Sequence, residues 1–68
     1  MIHEIRELIA EHQSFKDECF ALLGELNQIS NTKLSAEDRK SLEISIIKAE
    51  EEYCWRGIII NQLKELIE

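Results

Sequence analysis

Sixty-eight residues hold one domain at most, and a chain this short is marginal on its own without disulfides, a metal or a partner. A hydrophobic content of 44% argues against wholesale disorder, while the absence of proline and the presence of only two glycines argue against a turn-rich β fold. The formal net charge of −6 disfavours binding to nucleic acid or to anionic membranes by bulk electrostatics.

The segment from Met1 to Glu7 carries acids where a signal peptide would carry a basic start and an unbroken apolar core. No run approaches the roughly 20 apolar residues of a membrane span. A cytoplasmic protein with no membrane contact is expected. The two cysteines, Cys19 and Cys54, are too few for a disulfide framework and are expected to be reduced.

From Ile5 onward the first half keeps an alternating three-and-four spacing: Ile5, Leu8, His12, Phe15, Cys19, Leu22, Leu26 and Ile29. Only His12 interrupts the apolar character. This is an a/d heptad seam, the pattern of a helix packed lengthwise on another. Ile2, Ile9 and Leu23 at position e widen it into a bundle-type face. Position g is glutamate each time, at Glu4, Glu11, Glu18 and Glu25, which forms a charged border. The first helix is expected over about 2–29. Gly24 faces outward within it for no evident reason.

Serine, asparagine and threonine at Ser30-Asn31-Thr32 compete with helix through side-chain hydrogen bonds to the backbone, so a turn is expected over about 30–35. Ser35 reads as a helix cap, and Glu37 and Asp38 place negative charge at the positive end of the next helix dipole. The second helix is expected over about 36–67. So short a connection makes the two helices antiparallel neighbours. The fold class is therefore all-α, an antiparallel helical hairpin in a single domain, 1–68.

The second helix carries a seam of Leu42, Ile46, Ala49, Tyr53, Ile60, Leu63 and Ile67, with Arg56 intruding. A second stripe, Ile44, Ile47, Cys54, Trp55 and Ile58, lies roughly opposite, interrupted by Glu51. One hairpin covers only one of these faces. Dimerisation into a four-helix bundle is the expected remedy, with the second stripe as an oligomer or partner interface. Adjacent helices in such a bundle need one wide face rather than two opposed ones, so this stripe is available to a larger assembly or another protein. Trp55 beside Arg56 is the pairing of residue types that dominates interface energies.

Folding about residues 32 to 33 places His12 near Tyr53 and Cys54. No CxxC or HxxxH spacing supplies a zinc site, and two helices offer little of the cleft that a thiol nucleophile needs. His12 is instead expected to be a polar interruption of the seam, hydrogen-bonded to Tyr53 or to a carboxylate, that fixes register or oligomer state and is sensitive to protonation of the imidazole. Glu50, Glu51 and Glu52 point about 100° apart in turn, which suits a solvated face and not a metal cage. Gly57, costly inside a helix, is expected to allow close approach of a neighbouring helix.

No cofactor is implied, and an enzyme is the reading these residues favour least. They favour a homo-oligomeric interaction protein that binds and modulates another protein, of the accessory regulator, inhibitor or co-chaperone type. The alternatives concern nucleic acid. The stretch LLGELNQI, Leu22 to Ile29, is loosely similar to a segment of the Rop family of plasmid RNA-binding hairpins, which dimerise into four-helix bundles. The resemblance covers eight residues of common heptad character and implies RNA binding by a bundle surface. Such binding wants basic and aromatic side chains on one exposed face. Here Lys33, Arg39, Lys40, Lys48, Arg56 and Lys64 are scattered around the helix. The glutamate column is also compatible with an acidic mimic that blocks a DNA-binding protein.

Overall fold

A computed structural model describes all residues, 1–68. Two α-helices, α1 (Ile2–Ser30) and α2 (Ala36–Glu65), pack against each other, and there are no strands. The molecule is a rod of 51 × 14 × 13 Å. No helix is long and apolar enough to cross a membrane.

The reversal between the helices is built without glycine, proline or any residue at positive φ. Side chains close it instead. Ser30 Oγ donates to Asn27 O at 2.7 Å and Thr32 Oγ1 to Ile29 O at 2.6 Å, which satisfies carbonyls left open at the end of α1. The backbone N–H of Asn31 donates to Gln28 O at 3.2 Å and that of Thr32 to Ile29 O at 3.0 Å. The last turn of α1 carries no basic residue to complement its dipole. Arg39 supplies that charge from the first turn of α2, with Nη1 3.4 Å from Ser30 O and Nη2 3.3 Å from Thr32 O.

Ser35 caps α2. Its backbone is extended, at φ −65 and ψ 161, and its hydroxyl accepts a 3.1 Å hydrogen bond from the Asp38 N–H. Glu37 and Asp38 fall in the first turn and Lys64 in the last, both in the sense the helix dipole favours. Ser35→Ala is expected to cost about 1 kcal/mol, read as a lower midpoint in chemical denaturation. An unchanged midpoint would mean that the cap adds nothing.

The contact face of α2 follows the three-and-four spacing of its seam: Leu42, Ile46, Ala49, Tyr53, Arg56, Ile60, Leu63 and Ile67 are all buried or half-buried. Only Leu42, Ala49 and Ile60 are buried. The contact face of α1 is rotated from the expected one. Ile5, His12, Cys19 and Leu26 do face α2, but their companions are Ile9, Lys16, Leu23 and Ser30. The column Leu8, Phe15, Leu22 and Ile29 turns outward and stays 43% to 48% exposed.

In the rotated face Lys16 stands beside Gly57. The nearest atoms to a side chain added there belong to Lys16, with Nζ at 3.6 Å and Cε at 3.8 Å. The end of Lys16 lies against Gly57 in the seam, and its ammonium sits 4.9 Å from the Tyr53 ring centroid. The apolar stem covers surface while the charge finds an aromatic face.

Candidate functional site

No group of three or more His, Cys, Asp or Glu residues is placed to hold a metal ion. Cys19 is half-buried in the seam and Cys54 is exposed on the far side of α2; both are free thiols. The candidate site is therefore a surface, and it has a polar knot at its edge.

The knot is centred on Arg56, which the seam spacing carries into the contact face. Its Nε donates to Glu52 Oε1 at 2.8 Å, one turn earlier on α2. Its Nη1 lies 2.8 Å from His12 Nδ1 on α1. A guanidinium only donates, so Nδ1 must be the accepting nitrogen and the ring proton sits on Nε2. The third contact is with Phe15, whose ring centroid is 4.5 Å from Arg56 Cζ, within cation–π range.

His12 and Tyr53 are not brought together. The Tyr53 ring packs at 6.2 Å and 40° on Phe20, beside Lys16, while His12 bonds Arg56. The five-residue connection, Asn31 to Ser35, moves the fold point toward Leu34, so each α1 residue meets an α2 residue about one turn later than a pivot at 32 to 33 implies. No polar partner for Cys54 is formed.

Ile44, Ile47, Trp55 and Ile58 are 48% to 57% exposed, and Cys54 is exposed with them. They lie on the back of α2, away from α1. Trp55 stands apart from the rest of that stripe. It borders an open depression with Lys48, Glu51 and Glu52. Glu52 leads through Arg56 to Phe15. Trp55 thus stands at the rim of the side on which the outward column of α1 runs.

That outward column is what spacing alone missed. Three apolar columns run along α1, and a single neighbour covers two. Lys16, in the column of Ile9 and Leu23, gave no sign from spacing alone that it would lie in the seam. Beside the exposed column stand Glu4, Glu11, Glu18 and Glu25, all in solvent. Gly24 has nothing within 4 Å of the position a side chain would take. Gly57 likewise meets only the flexible end of Lys16 within the hairpin.

No protein-family model, no curated protein and no solved structure matches the chain.

Proposed function

We propose that the chain is a small acidic interaction protein of the cytoplasm, a helical hairpin that dimerises into a four-helix bundle and binds and modulates another protein. One observation supports this reading above the rest. Only three of 68 residues are buried, while large apolar side chains stay about half exposed, in an unbroken column on α1 and in a stripe on α2 that Glu51 interrupts. Scattered apolar residues on a surface need no explanation, but columns running along a helix mark association.

Sedimentation velocity across a wide range of concentration tests the first half of the reading. A species of twice the chain mass, dissociating on dilution, is expected; a monomer throughout would end it. Capture from the native lysate, with Trp55→Ala and Ile58→Asp as controls, tests the second half. One stoichiometric protein lost in both variants supports a modulator.

A second reading draws on the exposed glutamate column, Glu4 to Glu25, as an acidic strip opposed to a DNA-binding protein. The ~10 Å between successive glutamates is wider than phosphate spacing. Capture of a DNA-binding protein that DNA displaces would favour it. Recovery of RNA would favour a bundle surface that binds RNA.

A further inference from the structure

We infer that a second copy of the chain docks on the side of the hairpin that carries Leu8, Phe15, Leu22 and Ile29, and not on the back of α2. The inference rests on the self-association reading and specifies the surface that performs it.

Position comes first. Relative to the direction of α2, the column of Ile5, His12, Cys19 and Leu26 points slightly to one side. The column of Leu8 to Ile29 points further round to that same side. Together the two columns restore the a/d spacing, and they flank the direction in which the axis of a four-helix bundle would run. The hairpin covers the inner half of that face and leaves the outer half open. From α2, Ile59 and Leu66 continue the open side. The other side of the hairpin presents Arg6, Gln13, Asn27, Glu43, Glu50 and Lys64, with Phe20 as its one exposed aromatic ring.

Length and area point to the occupant. Leu8 to Ile29 extends over about 32 Å of helix. A ligand that covers it has to be a straight rod, and the hairpin is itself a rod 51 Å long. The accessible surface of the chain is 5396 Å². A compact monomer of 8.0 kDa exposes about 4,450 Å², so this one exposes about 950 Å² beyond that. A standard interface removes about 800 Å² from each partner. One copy docking on one face therefore brings the surface back to the ordinary range.

The back of α2 fits a second copy less well. Glu51 divides Ile47 from Ile58, and Lys48 stands beside Ile47. Ile44, Ile47, Cys54 and Ile58 stay outside a bundle closed through α1.

Sedimentation of the full chain tests the assignment with two pairs of variants: Phe15→Asp and Leu22→Ala on α1, Ile47→Asp and Ile58→Asp on α2. Phe15→Asp is expected to abolish the dimer. Leu22→Ala is expected to weaken it at least about tenfold. Alanine is the best helix former and the position is half exposed in the hairpin, so this variant cannot act by breaking α1. The α2 pair should leave the dissociation constant within about threefold of the parent. Dimers of parental strength in both α1 variants, or loss confined to the α2 pair, overturn the assignment and leave self-association standing. A parent chain that is monomeric at every concentration overturns both.

Discussion

Ile60→Ala is expected to remove about 2–5 kcal/mol of folding free energy, the range for truncating a fully buried isoleucine. Ile60 is the most enclosed side chain of the molecule, at 3% exposure, and one of only three that are buried. The lost methylenes forfeit their transfer from water, and two helices held by one line of contacts have few atoms with which to refill the gap. A domain of this size commands only a few kcal/mol in total. The variant should therefore lose most of its helical circular dichroism at ambient temperature. Ile58→Ala, two residues earlier on the same helix, removes the same atoms from a half-exposed position and should cost well under 1 kcal/mol. Equal losses in the two variants would mean that the seam of α2 does not lie where the structure has it.

Arg56→Glu should be the second most damaging single change. It removes the hydrogen bonds to Glu52 and to His12 and the cation from the Phe15 ring, then sets a carboxylate one turn from Glu52. The Arg56 side chain is 23% exposed and that of Glu52 is 45%, so solvent screens part of the repulsion. A cost of about 2 kcal/mol remains. Adding His12→Arg to this variant places a guanidinium opposite the new carboxylate and should recover at least half of the loss. Urea titration of the two single variants and the double variant gives the coupling directly. A double variant no more stable than Arg56→Glu would mean that residues 12 and 56 do not meet across the seam.

The two helices could be read from the sequence because their signals agree at every level. Ser35 caps, Glu37 and Asp38 follow, and the regular spacing from Leu42 to Ile67 marks the face of α2 that meets α1. The rotation of α1 was not legible in the same way. Its columns at Ile5, Leu8 and Ile9 are all apolar enough to serve, and the choice belongs to the pair of helices. In the pair that forms, Lys16 lies against Gly57 and over the Tyr53 ring. The partner of His12 was hidden for a related reason. An offset of one turn between the arms, set by the length of the connection, exchanges Tyr53 for Arg56. The exposed stripe of α2 was visible from its own periodicity, since no rotation of α1 could reach it.

Arg39 has an effect far from its own position. Its guanidinium reaches two carbonyls of the connection at once, Ser30 O and Thr32 O. Sliding one arm along the other by a helical turn, about 5.4 Å, would pull it away from both. Stiff rods transmit an axial offset undiminished, so this one residue at the closed end acts as a gauge for the whole length. It thereby supports the register that the length of the connection sets, the one in which His12 meets Arg56.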